Sequence, residues 1–402
     1  MLYQLSYSRV FPSRESQKYS RKNSLATSEC CNVIRRIRVP EPGPAITNIH
    51  RVSMLRTSLI PTIALALLFT VPTILSGQGF VNAKYAGEFL SLGAGARSSG
   101  MGGTGTASSD DVTAGYFNPA GLSRIEYPEI ALFHESRFAG LFNYDYLAGA
   151  VPIDPTQTVG LSLIRFGYGE IKDTRGALID RNGNGVIDED DRIDPARVRI
   201  GSAADWGAIG SYSRRINEKL SVGGNVKILY RSILDTSAWG FGFDVGARYS
   251  PVEELTLGAS LQDATKSILA WETGRQEFIV PSLRLGGAYS LAIGEDHSVT
   301  PAVDAILRFE GRSQTAQADL GFASLDAAAG LEYGYRNRLF GRVGYTELEQ
   351  LTIGAGVRLP KLNIDYSFSR ESADLDGIGA THRVSLRLTL EEERFRREPV
   401  PE

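Results

Sequence analysis

Leu220-Ser-Val-Gly-Gly-Asn-Val-Lys-Ile-Leu-Tyr230 is the stretch that decides the fold. Leu220, Val222, Val226, Ile228 and Tyr230 share one parity, while Ser221, Gly223, Asn225 and Lys227 share the other. A period of two sends successive side chains to opposite faces of a strand, so this segment has an apolar face and a polar one. The pattern returns at Val384, Leu386, Leu388 and Leu390, which alternate with Ser385, Arg387 and Thr389. Leu362, Ile364, Tyr366 and Phe368 alternate with Asn363, Asp365 and Ser367. Leu351, Ile353, Ala355 and Val357 alternate with Thr352, Gly354, Gly356 and Arg358.

A soluble sandwich alternates too, and three further features point to a membrane barrel instead. The segments run to about 9–12 residues, the length a tilted strand needs to cross a bilayer. Aromatics gather near segment ends, as at Tyr144 and Tyr146, Phe166 and Tyr168, Tyr333 and Tyr335, and Tyr366 and Phe368. Tight turns also alternate with longer loops. Strands are expected near 128–137, 144–153, 157–167, 204–214, 218–231, 237–250 and 253–263. Seven more are expected near 280–291, 297–309, 324–335, 338–346, 349–359, 361–370 and 381–391. Between them, 154–156, 216–219, 251–252, 293–296, 337 and 360 are short, whereas 168–203, 264–279, 310–323 and 371–380 are long. With the first strand starting in the periplasm, every short turn falls there and every long loop faces outward, as in bacterial barrels. The expected fold is all-β: a transmembrane antiparallel β-barrel of about 14 strands over residues 127–391, followed by a charged tail, 392–402.

Charge separates a leader from the rest of the 402 residues. Up to Arg56 there are 10 Lys/Arg against 3 Asp/Glu, and beyond it 33 against 43. The acidic remainder argues against a nucleic-acid partner, which needs a concentrated basic face. Both cysteines, Cys30 and Cys31, lie in the leader, and a thiol-free body suits export through an oxidising compartment. Met54 and Arg56 precede an apolar run from Leu59 to Leu75, broken by Pro61 and Pro72, and then Ser76 and Gly77. That is a secretory signal over 54–77, with cleavage expected between Ser76 and Phe80. Residues 1–53 read as a disordered extension or as sequence upstream of a true start at Met54.

Between the signal and the first strand, residues 78–126 form a Gly-rich hatch. Gly100, Gly102, Gly103 and Gly105 do not make a phosphate loop, because no Lys-Ser or Lys-Thr follows them. Small residues instead let this segment lie close against a barrel wall. Gly95-Ala96-Arg97, Gly100-Met101-Gly102-Gly103, Asp110-Asp111, Tyr116-Phe117 and Asn118-Pro119-Ala120-Gly121-Leu122 follow in order. This series resembles the PorV/PorQ family of outer-membrane proteins, within the wider class of FadL-type fatty-acid transporters. The resemblance implies a 14-stranded barrel with an N-terminal plug, inserted in the bacterial outer membrane after signal cleavage.

The sharpest chemical motif runs from Asp180 to Asp191 in the loop after the third strand. Asp180, Asn182, Asn184, the Val186 carbonyl, Asp188 and Asp191 stand at calcium-loop positions, with Gly185 at the turn. A structural Ca2+ is therefore expected, bound more weakly than in a sensor because Asp191 replaces the usual Glu. No organic cofactor is implied. Enzyme chemistry is not expected either: His134, His297 and His382 are widely spaced and match no triad or metal motif.

Two functions remain in view beside a purely structural barrel. The family resemblance implies an accessory barrel of type IX protein secretion, partnered by secretion-machinery proteins or secreted cargo. On that reading the outer loops form the cargo face, with Ile268, Leu269 and Trp271 as an apolar contact. The alternative is transport of hydrophobic small molecules, as FadL-type proteins perform. The shared Asn118-Pro119-Ala120 motif does not separate the two.

Overall fold

The computed structural model describes residues 80–81, 87–181, 183, 191–312, 315–370 and 380–397. The extension 1–53 and the signal 54–77 lie outside the described residues. Fourteen long strands form the wall. In chain order they are β1 (Glu129–Arg137), β2 (Phe142–Pro152), β3 (Gln157–Asp173), β4 (Arg199–Arg215), β5 (Leu220–Ile233), β6 (Thr236–Tyr249) and β7 (Leu255–Gln262). They continue as β8 (Ser282–Tyr289), β9 (His297–Arg308), β10 (Ser324–Tyr335), β11 (Leu339–Tyr345), β12 (Leu351–Leu359), β13 (Leu362–Ser369) and β14 (Thr381–Thr389). Each pairs antiparallel with the next. β14 returns to β1 in a register that sets Thr389 opposite Glu129 and His382 opposite Ser136, so the sheet closes. Closure leaves no sheet edge unpaired, the condition for a sheet in hydrocarbon, where water cannot satisfy backbone groups.

The two faces separate as the alternation requires. Ile130, Leu132, Leu147, Leu161, Leu163, Val226, Ile228, Phe241, Val303, Ile353 and Leu386 are exposed on the outside. Glu135, Asp205, Lys227, Asp244, Arg284, Asp304, Arg308, Glu332, Arg342 and Arg383 are buried inside. Such an inside-out distribution suits a bilayer-spanning barrel and would be a liability in water. Aromatic and His pairs stand near the strand ends on the outer face, among them Tyr230 with Trp239, His297 with Tyr333, and Tyr366 with His382.

All fourteen strands fall within a few residues of expectation, and two long loops do not. β3 and β4 run past the expected strand ends, to Asp173 and from Arg199, with a register shift between Tyr168 and Ile171. The expected loop 264–279 is instead a hairpin, Ser267–Trp271 paired with Gln276–Ile279. The reason is geometric. β6 outruns β7, and the backbone groups of 238–241 left beyond it need partners. Residues 268–271 supply them, with Ile268 opposite Phe241 and Trp271 opposite Ala238. Phe80–Val81 then adds to the hairpin in parallel, placing the chain leading into the hatch at this loop end of the barrel.

Candidate functional site

The hatch lies inside the barrel. From Gly87 it descends through four short helical turns, Glu88–Leu90, Ala96–Gly100, Ala114–Phe117 and Pro119–Arg124, to the start of β1. Most of the expected hatch residues lie along the wall, while Gly103 faces open space and borders the cavity above the hatch. Gly102 has φ +73, and a Cβ there would fall 2.5 Å from the Tyr345 carbonyl oxygen, so a side chain is excluded on both counts. Asn118, only 2 % exposed, holds the lower end. Its amide donates to the carbonyls of Thr106 (3.0 Å) and Ala247 (2.9 Å), and its Oδ1 accepts from the Ala120 N–H (3.2 Å). Pro119 follows as the first residue of the helical turn, where a missing N–H costs nothing. Ala120 and Gly121 sit against β5 and β6. The Ala120 carbonyl accepts from Ser213, and a side chain at Gly121 would meet Ala114.

The paired acids divide the work. Asp111 caps the Thr113 N–H (2.9 Å) and pairs with Arg387 (3.0 Å). Asp110 pairs with Arg97 (2.7 Å), Arg97 with Glu332 (3.0 Å), Glu332 with Arg342 (2.6 Å), and Arg342 with Asp365 (2.7 Å). A chain of alternating charge thus runs from the hatch across β10 and β11 to β13. Enclosure disfavours the Asp110 carboxylate, but the guanidiniums of Arg97, Arg387 and Arg248 outweigh it and hold its carboxyl well below the usual range. Further anchors come from around the wall. Asp304 accepts from the N–H groups of Gly105 and Thr106 (3.0 Å each), Ser385 from Ala96 N–H (2.6 Å), and Glu129 from Val112 N–H (2.9 Å). Sequence reading missed these wall partners. Their only signal was a charged or hydroxyl residue at an inward position of an alternating strand.

The lumen has two unlike sides. On the β1–β6 side the hatch packs Phe89, Tyr116 and Phe117 against Phe133, Tyr144, Tyr146, Ile164, Ile209 and Leu229. Tyr116 makes edge contacts with Phe117 (4.9 Å between centroids) and Tyr146 (6.3 Å). The ion pairs between hatch and wall strands, Arg97 with Glu332 and Asp111 with Arg387, lie on the β8–β14 side, while Lys227–Asp244 and Arg231–Asp205 pair within the wall at β4–β6. Above the hatch, toward the loop end, lies a cavity of about 300 Å³ with Leu92, Phe117, Arg284, Arg308 and Thr352 in its lining. A second, almost wholly apolar cleft of about 410 Å³ opens on the outer face over β1–β4 and β14, and Phe133, Tyr146 and Ile164 reach both it and the inner core.

The residues expected to contact cargo do not share one exposure. Leu269 is buried and Trp271 packs against the inner core, while Ile268 is exposed. Of the calcium-loop residues, Asp180 accepts from Gly183 N–H (2.6 Å) and Asp191 from Arg181 N–H (3.2 Å), which brings the two ends of the loop together. Asn182, Asn184, Val186 and Asp188 lie outside the described residues. His134 pairs with Asp145 (2.7 Å), His297 with Tyr333 (2.7 Å) and His382 with Tyr366 (2.8 Å).

Residues 74–241 match the model of an uncharacterised protein family, UPF0164, a span that takes in the hatch and the first strands of the wall. No curated protein matches the sequence. Among solved structures, the toluene transporter TbuX of Ralstonia pickettii is 15% identical, with 74% of this chain and 99% of that one covered and a TM-score of 0.47. The toluene transporter TodX of Pseudomonas putida is 16% identical, with 73% and 96% covered and a TM-score of 0.47. A FadL homologue of Pseudomonas aeruginosa is 14% identical, with 74% and 98% covered and a TM-score of 0.45. Similarity this low leaves the architecture of the present chain to be read from its own hydrogen bonding.

Proposed function

We propose that this barrel carries hydrophobic small molecules across the bacterial outer membrane, with the hatch as its gate. One observation carries the reading. The aromatic seat between hatch and wall lies across the wall from an apolar cleft on the lipid face, and the same three residues, Phe133, Tyr146 and Ile164, line both, with their side chains buried on the inner side. An apolar solute resting there displaces dispersion contacts and breaks no ion pair, so its passage meets the least resistance on this side. The long loops face the cell exterior in this reading, and the turns face the periplasm. Toluene and monoaromatic hydrocarbons are the solutes named for such channels, and they match the seat in polarity.

The protein-export reading relied on an open apolar loop at 264–279, and Leu269 and Trp271 are not presented there. The test is uptake of 1-N-phenylnaphthylamine by cells with a lipopolysaccharide outer leaflet, with and without the full chain. Uptake several-fold faster with the protein is expected. Equal rates would sink the proposal, and co-purification of secreted proteins with no bound apolar molecule would restore export.

A further inference from the structure

Among the described residues, Arg248 and Arg284 are the buried lumen arginines without an ion pair; Arg248 donates to the Ser109 carbonyl and to Thr256, whereas Arg284 makes no such bond. It projects inward from β8, is only 5 % exposed, and lines the cavity above the hatch. Its Nε has no hydrogen-bond partner, and among the described residues no ion pair reaches its guanidinium. The carboxylates nearby are engaged elsewhere. Asp326 and Glu347 hold Arg308 (2.5 and 2.9 Å), Glu88 and Glu310 hold Arg312, and Asp244 and Asp263 hold Lys227 (2.7 and 2.6 Å). A buried cation without a counter-ion is expensive, and nothing in the fold's own ion-pair scheme relieves it.

We propose that Arg284 is the recognition residue of a lumen site for a small monovalent carboxylate, distinct from the apolar seat. The chemistry selects this class. A guanidinium offers paired N–H groups in one plane, which match the two oxygens of a carboxylate. The surrounding pairs limit the charge: Arg308, Arg312 and Lys227 are each flanked by two acids, so a phosphate dianion would meet repulsion that a monoanion largely escapes. The floor limits the size, because Gly102, Gly103 and Phe117 of the hatch close the cavity from below. Leu92, Ile306 and Ala328 beside the arginine give a short carbon skeleton an apolar wall. The site also touches the gate, since Tyr116, whose hydroxyl accepts from Gly93 N–H (2.9 Å), lines the smaller cavity that shares Arg284.

The experiment titrates sodium benzoate, and separately inorganic phosphate at pH 8, into the full chain in detergent at low chloride, read by calorimetry. Benzoate is expected to bind with one-to-one stoichiometry. Arg284→Gln should weaken it at least tenfold, and Arg284→Lys, which keeps the charge but loses the fork, by a smaller factor. Uptake of 1-N-phenylnaphthylamine should be the same for wild type and Arg284→Gln, which separates this site from the apolar route. Benzoate binding that Arg284→Gln leaves unchanged, no benzoate binding at all, or tighter binding of phosphate than of benzoate would each overturn the proposal. Arg284→Gln should also fold with an equal or higher unfolding temperature, because it removes an uncompensated charge; a fall would mean that the guanidinium has a structural partner and would count against the site.

Discussion

The β1–β6 side of the lumen and the β8–β14 side hold the same hatch by opposite means. On the first, rings and aliphatic chains meet by dispersion, and side-chain hydrogen bonds join them: Asn225 donates to the Gly115 carbonyl (2.9 Å), Ser213 to the Ala120 carbonyl (3.1 Å) and Arg248 to the Ser109 carbonyl (3.1 Å). On the second, Asp110, Arg97, Glu332, Arg342 and Asp365 form a chain in which every charge has a neighbour of opposite sign. Dispersion contacts are individually small and re-form in many geometries, whereas a buried ion pair tolerates little displacement. The ion-paired side of the plug is therefore the more firmly pinned, and the side held by rings and hydrogen bonds yields more readily. A gate needs that asymmetry, since a hatch pinned all round could not open and one held only by apolar contacts would not return to register.

Breaking the pinned side should give the largest effect. Glu332→Ala leaves Arg97 and Arg342 facing each other inside the barrel and should cost about 3–5 kcal/mol. Urea unfolding in lipid vesicles would read it, and a loss under 1 kcal/mol would mean that the charged chain is solvated rather than structural. On the yielding side, Tyr146→Phe removes one hydrogen bond, to Ser162 (2.9 Å), and keeps the ring, so about 1 kcal/mol is expected. A cost equal to that of Glu332→Ala would erase the contrast.

At the Asp110–Arg97 pair acid should act late. The carboxyl of Asp110 is held below its unfolded value of about 3.9, so its contribution is complete above that pH and is lost only as pH falls through the lower, folded value. Hydrogen exchange of residues 96–105, which lie beside Arg97 and away from the Glu129 contact, corrected for intrinsic rate, should be flat between pH 8 and 5. A rise across that window would show that a different group pins the hatch. The smallest effect concerns the loop after β3. Calcium bound from Asp180 to Asp191 would stiffen that loop, so EDTA should speed proteolysis there and leave the unfolding midpoint unchanged. Protection that is the same with EDTA and with calcium would remove the metal from the account.

Alternation made the strands legible. Leu220–Ile233 and Thr381–Thr389 lie where their period of two put them, because a strand with one face in lipid and one in a polar lumen cannot shift by one residue without reversing both. The hairpin at Ser267–Trp271 was not legible, because five residues carry too little periodicity and their pairing depends on how far β6 outruns β7. The hatch motif was legible as close packing, from Gly100, Gly102 and Asn118. Its partners were not: Asp304, Thr352 and Ser385 are ordinary inward polar positions until the barrel closes around the segment.

By itself, then, the sequence determined what local chemistry can encode: a period of two, turn lengths and a glycine-rich plug. Tertiary structure alone decided which inward charges meet. Glu332 lies 235 residues from Arg97, and only closure of β14 on β1 brings such positions together. The same closure left Arg284 without a partner. Pairing across a lumen depends on shear and hatch placement, and neither is written in the alternation of any one strand.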